Sequence, residues 1–208
     1  ERFHTGVMRM PVGNTKHKRA EVFSCRVLMR PWAYNGTVVS VHGCAVPHQF
    51  HKVHGMVSMA VDAQDGNKLY LAAGMYLPSW GRTAAILRSS DQGRTWSRTE
   101  LPIRLGGNSD GRGAGERLQV DPNKGSVLFL GTNQDGLWKS TDSGVTWAKV
   151  PGFAPSAVNF VLVDPRSGTA GNASQVVYAG IASNATTSLM KSTDGGASWA
   201  AVPGQPVA

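Results

Sequence analysis

The sequence predicts an all-β fold made of β-propeller blades, about three four-stranded blades of an incomplete and seven-bladed ring. Two observations carry that expectation. The motif Ser-x-Asp-x-Gly-x-[Thr/Ser]-Trp occurs at 89–96, 140–147 and 192–199, with Asp91, Asp142 and Asp194 spaced 51 and 52 residues apart. Around each copy the same order of short apolar runs recurs, and four short strands in about fifty residues is the size of one blade.

The strands follow in order within each unit. Val61-Asp62 leads into the run 69–74, Val120-Asp121-Pro122 into 127–131, and Val163-Asp164-Pro165 into 176–180. Short apolar runs bounded by Gly, Pro and Asp read as strands. A third strand ends at Ile86-Leu87-Arg88, Leu137-Trp138-Lys139 and Leu189-Met190-Lys191, and a fourth stops at Pro102, Pro151 or Pro203. The motif, known as the Asp-box, is then the turn joining third and fourth strands. Its carboxylate (Asp91, Asp142, Asp194) can accept from the turn's own N–H groups. Gly93, Gly144 and Gly196 supply the positive φ of the reversal. Trp96, Trp147 and Trp199 cover the hairpin base with a large aromatic surface. All nine residues are assigned to structure and none to chemistry. Three blades do not close a ring, so a longer parent protein is expected.

Composition narrows the class. The chain has 208 residues, 41% hydrophobic and 16% charged, with Gly 25 and Pro 11. That is enough apolar content for a core, many turns, and too little charge for disorder. No apolar run is long enough to span a bilayer, and the first residues do not read as a signal peptide. The net charge of +8 is unevenly spread: residues 1–55 hold eight Lys or Arg against Glu1 and Glu21, whereas the remainder holds 13 against 11 acids. A basic strip without an RNA-binding or helix-turn-helix pattern points away from nucleic acid as a partner.

The same boundary divides other residue types. All six His and both Cys (Cys25, Cys44) precede Gly55, and no Asp occurs before Asp62. Residues 1–54 are therefore set apart from 55–208 as an atypical segment, expected not to be a native first blade and to derive from a shifted reading frame or a misassembled gene. His42, Cys44, His48, His51 and His54 are zinc-ligand types, but their spacing fits no zinc pattern, and no metal is assigned. A Cys25–Cys44 disulfide is an option in a secreted protein.

The runs Leu71-Ala72-Ala73-Gly74-Met75-Tyr76, Ala85-Ile86-Leu87-Arg88-Ser89-Ser90-Asp91 and Gly111-Arg112-Gly113-Ala114-Gly115-Glu116-Arg117-Leu118 carry a more specific signal. With residues 136–147 they resemble the first propeller of glycoside hydrolase family 74, which holds endo-xyloglucanases and reducing-end-specific oligoxyloglucan cellobiohydrolases. Ser109-Asp110 and Ala114 depart from the Met-Pro and Met usual there, which bears on the shape of that loop.

The resemblance implies an extracellular, cofactor-free enzyme, monomeric at full length, that cleaves the β-1,4-glucan backbone of xyloglucan or a related β-glucan oligosaccharide. It implies inversion by two Asp residues, an acid and a base roughly 6.5–9.5 Å apart. The base belongs to a Thr-Asp-x-Gly-Gly-type motif early in the first blade and the acid to a second propeller. Neither motif is present, so no catalytic residue is assigned and the chain alone is expected to be inactive. For substrate binding the candidates are Tyr76, Trp80, Asn108, Arg112, Glu116, Arg117 and Trp138. The aromatics are sugar-stacking faces, although Trp138 also reads as buried between blades. The charged residues either bind hydroxyls or fix the Gly-rich loop as an ion-pair network. A non-catalytic glycan- or protein-binding propeller, of the sortilin or assembly-factor type, is the alternative. Asn35, Asn172 and Asn184 lie in glycosylation sequons.

Overall fold

The chain divides into two units, Glu1–Lys52 and Val53–Ala208. The computed structural model describes residues 28–31, 37–40, 55–80, 83–108, 115–184 and 187–205. In the first unit the described residues form an antiparallel pair, β1 (Leu28–Pro31) and β2 (Thr37–Ser40), with Leu28 opposite Ser40. Apart from β1 and β2, residues 1–54, expected to be a non-native segment, lie outside the described residues, and with them Cys25, the five His and Cys candidates and Asn35. So do Arg112, Ser109, Asp110 and Ala114.

The described residues of the second unit form three four-stranded antiparallel sheets, each with its strands in sequence order. Blade 1 is β3 (Met56–Val61), β4 (Leu69–Ala73), β5 (Ala84–Ser89) and β6 (Ser97–Leu101). Blade 2 is β7 (Leu118–Val120), β8 (Leu128–Gly131), β9 (Leu137–Ser140) and β10 (Ala148–Lys149). Blade 3 is β11 (Val158–Val163), β12 (Val177–Asn184), β13 (Thr187–Ser192) and β14 (Ala200–Ala201). The outer strands β10 and β14 are two residues long and exposed, and β6 carries the Arg98–Glu100 pair; short or charged edges resist unwanted strand pairing.

The core lies between blades. Blade 1 gives Tyr70, Ala72, Ala84 and Ile86 to one cluster, and blade 2 answers with Leu118, Val120, Leu128 and Leu130. Blade 2 then gives Phe129, Leu137 and Val150 to a second cluster, answered by Val158, Val161, Val163, Val177 and Ala179 of blade 3. Side chains alternate across a strand, so Leu128 and Leu130 face blade 1 while Phe129 faces blade 3. That is why β8 is buried along its whole length and reads as a continuous apolar run. Each such side chain contributes about 1.5–3 kcal/mol by leaving water.

The three repeat turns share one hydrogen-bond pattern. The Ser89 hydroxyl donates to Asp91 Oδ1 at 2.8 Å and accepts the Gly93 N–H at 2.8 Å. Asp91 also accepts the Thr95 N–H at 2.8 Å and the Thr95 hydroxyl at 2.6 Å. The Trp96 indole N–H closes the turn on the Gly93 carbonyl at 3.0 Å. Ser140, Asp142 and Trp147 repeat this set, as do Ser192, Asp194 and Trp199. The residue before the Gly is also left-handed: Gln92 at φ 60, Ser143 at φ 59 and Gly195 at φ 67. The tight reversal aims the Asp and Gly N–H groups inward at the Ser hydroxyl, while the N–H between them faces out.

Hydrogen bonds sort the connections into two ends. At one end the β3–β4, β7–β8 and β11–β12 loops join the repeat turns: Gln92 donates to the Asn67 carbonyl, Ser143 to Ser126 and Gly195 to Gln175. At the other, the β4–β5 and β6–β7 loops join through Gly107 to Gly74 and Asn108 to Met75, and the β8–β9 and β10–β11 loops through Gly136 to Ser156.

A second set of carboxylates ties blade to blade. Asp121, fully buried, accepts the Ser174 N–H at 2.7 Å and its hydroxyl at 2.9 Å. Asp62 holds the same position in blade 1 and accepts the Gln64 N–H at 2.9 Å. Ser58 bridges the inner strands, donating to Glu116 at 2.7 Å and accepting the Arg117 and Leu118 N–H groups at 3.1 and 3.0 Å.

Candidate functional site

The end opposite the repeat turns carries three of the sequence-predicted binding residues, Tyr76, Trp80 and Asn108. The β4–β5 loop supplies Tyr76 and Trp80, whose rings lie 4.9 Å apart at 47°. Trp80 is 72% exposed, so a large apolar face is open to solvent. The pair is held from below. Arg104 donates to the Ser79 carbonyl at 2.7 Å, and Gln134 of blade 2 donates to the Leu77 carbonyl at 3.3 Å. Asn133 donates to the Leu105 carbonyl at 3.0 Å, which fixes the β8–β9 loop beside it. Gly106 has φ +65 and a side chain there would meet Leu77 Cγ at 2.8 Å, so the β6–β7 loop can pass under the aromatic loop only as Gly.

Asn108 is exposed at the same rim, anchored through its N–H to the Met75 carbonyl at 2.8 Å. Glu116 is exposed, with one carboxylate oxygen on Ser58. Arg117 lies elsewhere: its side chain is 1% exposed, and burial lowers its pKa. Its guanidinium is packed inside and does not reach a sugar hydroxyl at the surface. Trp138 is half-buried against the cluster between blades 1 and 2, its indole donating to the Asp135 carbonyl at 3.2 Å. The structure thus brings Tyr76, Trp80 and Asn108 together and separates Arg117 and Trp138 from them. Arg104, Asn133 and Gln134 join the rim without having been singled out; the polar run 132–136 before Leu137 was the available signal.

The motif carboxylates sit at the far end. Hydrogen bonds from the Thr95 hydroxyl and N–H hold Asp91 down to about 2, and the Thr146 pair holds Asp142 at about 2. Ser198 does the same to Asp194, which lies lower still. Such permanently ionised groups are turn acceptors and unsuited to donate a proton at neutral pH. Among the described residues no group of three or more His, Cys, Asp or Glu is placed to hold a metal ion. No helix there is long and apolar enough to cross a membrane.

No family model matches the chain. It is 44% identical over 174 residues to a xyloglucanase of Acetivibrio thermocellus, covering 75% of this chain and 20% of that protein. It is 45% identical over 172 residues to a xyloglucanase of Hypocrea jecorina, covering 73% and 20%. Among solved structures, the family 74 xyloglucanase from Xanthomonas campestris matches with a TM-score of 0.70 and 44% identity, over 74% of this chain and 24% of that one. The family 74 enzyme of Niastella koreensis matches with a TM-score of 0.64 and 38% identity, over 74% and 23%. The chain spans about a fifth of the length of the curated relatives it matches. At this identity the three blades are similar to a segment of the family 74 xyloglucanases, about a fifth to a quarter of their length.

Proposed function

We propose that this chain is part of a secreted xyloglucan-cleaving hydrolase, and that the rim bearing Tyr76 and Trp80 is a wall of its polysaccharide cleft. The 44% identity to xyloglucanases across three-quarters of the chain carries the reading. The rim fits it chemically. An exposed indole backed by a phenol presents a flat apolar face to the C–H side of a pyranose ring. The Asn108 side chain beside it offers both a donor and an acceptor to ring hydroxyls. Xyloglucan is a polymer that does not pass a membrane, so the enzyme works outside the cell.

Hydrolysis with inversion needs an acid on the glycosidic oxygen and a base on a water at the opposite face of the ring. The described carboxylates of the repeat turns and inter-blade contacts are engaged elsewhere, so this chain supplies binding surface, and the acid and base come from other parts of the whole enzyme. Affinity electrophoresis in gels containing soluble xyloglucan tests the binding role. The chain is expected to be retarded by xyloglucan and to release no reducing ends from it, with retardation lost in Trp80→Ala. Equal mobility with and without xyloglucan would refute the wall assignment. Reducing-end release by the chain alone would refute the division of labour.

A further inference from the structure

The sequon Asn172-Ala173-Ser174 has the residue pattern on which N-linked glycans are built. It lies in the β11–β12 loop, which joins the repeat turns, so it stands at the end away from Tyr76 and Trp80.

The loop sends the two ends of the sequon in opposite directions. After a short helical turn (Pro165–Ser167), Thr169 and Asn172 bridge, with the Asn172 N–H on the Thr169 carbonyl at 2.7 Å. Asn172 is exposed, and its side-chain amide donates to the Thr169 hydroxyl at 3.1 Å. Ser174 is 1% exposed. Its N–H and hydroxyl donate to Asp121 of blade 2 at 2.7 and 2.9 Å, and the hydroxyl accepts from the Asn123 side chain at 2.9 Å. The Asn123 carbonyl takes the Gly171 N–H at 2.8 Å. Blade 2 therefore grips the chain on both sides of Asn172.

In an extended chain, side chains two residues apart share a face, and Asn172 and Ser174 would be presented together. In the folded loop one faces water and the other is shut inside the joint between blades. A glycosyltransferase reads the Asn amide and the Ser hydroxyl of a sequon together, and the folded loop offers it only the first.

We propose that Asn172 is an N-glycan acceptor whose use is confined to the interval before blade 3 closes on blade 2. The co-substrate is an oligosaccharide carried on a lipid pyrophosphate. The Asn172 amide nitrogen attacks the anomeric carbon; a C–N bond forms, the C–O bond to pyrophosphate breaks, and the lipid pyrophosphate leaves as the amide gives up one proton. The Ser174 hydroxyl serves either the transferase or Asp121, never both. A glycan attached in that interval projects from an exposed side chain and leaves both the Asp121–Ser174 joint and the aromatic rim clear. The proposal rests on the chain being secreted, as put forward above.

The test supplies the secretion route itself. The full chain is secreted from yeast behind a signal leader, and the peptide containing Asn172 is weighed by mass spectrometry before and after peptide-N-glycosidase. A glycan on Asn172 is expected in the parent and none in Ser174→Ala. Separately, the chain made in bacteria and already folded is offered to an isolated oligosaccharyltransferase with its lipid-linked donor. The parent should accept no glycan at Asn172. Asp121→Ala should accept it at least about tenfold faster, because a loosened loop opens more often. Asn123→Ala, which keeps Asp121 in place, should fall between them. Three results would overturn the proposal: an empty Asn172 in the secreted parent, a folded parent modified as fast as Asp121→Ala, or both variants as inert as the parent. Xyloglucan enters none of these readouts, so failure here leaves the wall assignment standing, and the reverse also holds.

Discussion

Asp62 Oδ2 occupies the place where a side chain on Gly125 would begin: a Cβ there would lie 2.0 Å from it. The two residues belong to adjacent blades, and the absent side chain is what lets a carboxylate seal the joint. Blade 3 solves the same problem differently, with Ser174 supplying a hydroxyl to Asp121.

Gly125→Ala is therefore expected to cost about 2–3 kcal/mol, from overpacking and displacement of a buried carboxylate. Gly66 is its equivalent in blade 1, and a methyl group there would meet nothing within 4 Å among the described residues, so Gly66→Ala should be close to neutral. Urea unfolding midpoints of the two variants separate the cases.

Asp121→Ala removes the acceptor for both Ser174 bonds and the Asn123 N–H. A loss of about 2–3 kcal/mol is expected because buried donors are stranded. Ser174→Ala, which keeps the backbone bond, should lose about 1 kcal/mol. Equal losses in denaturant unfolding would mean that the hydroxyl bond dominates.

Ser140 anchors three of its turn's contacts: its hydroxyl donates to Asp142 and accepts the Asp142 and Gly144 N–H groups. Ser140→Ala should cost about 1–2 kcal/mol. Trp147→Ala should cost about 2–4 kcal/mol, less than a fully buried indole, since this one is half-exposed. If both variants keep the parent's unfolding midpoint, the turns do not stabilise the blades.

Acid should act through the same turns. Asp91, Asp142 and Asp194 all have pKa values depressed by turn hydrogen bonds, Asp91 and Asp142 to about 2 against an ordinary 3.8. Depressed carboxylates favour the folded state above their unfolded pKa, and that contribution disappears as pH falls through the folded value. Stability should thus be flat from neutrality to about pH 4 and decline between about pH 4 and 2. Thr95→Val and Thr146→Val, which remove hydroxyl donors, should flatten that decline in a pH series of thermal midpoints.

The blades were legible in the sequence because their signal is local: Ser, Asp, Gly and Trp meet within eight residues, and each turn folds on its own donors. The role of Ser89, Ser140 and Ser192 as hubs was within that motif but needed the geometry of two successive positive-φ residues. The inter-blade bonds were not legible. Asp121 and Ser174 are 53 positions apart, and Ser58 and Glu116 are 58 apart, so no spacing rule links them. Arg117 shows the opposite failure. Its charged neighbourhood in the Gly-rich run suited a surface role, whereas the β7 strand beginning at the next residue turns it into the interior. Tyr76 and Trp80 were found because loop aromatics are conspicuous, while Gln134 and Asn133, which hold that loop from another blade, are not.

The contacts made by the repeated Asp, aromatic and Lys positions of blade 2 point forward along the chain: Asp121 and Lys139 bond to blade 3, and Phe129 packs into the cluster that blade 3 completes. During synthesis each blade would leave the ribosome with its acceptors already displayed and wait for its successor. At about 5–20 residues per second the wait for a blade of this length is roughly 3–10 s. A nascent propeller of this kind is vectorial, and its newest blade is always its least secure.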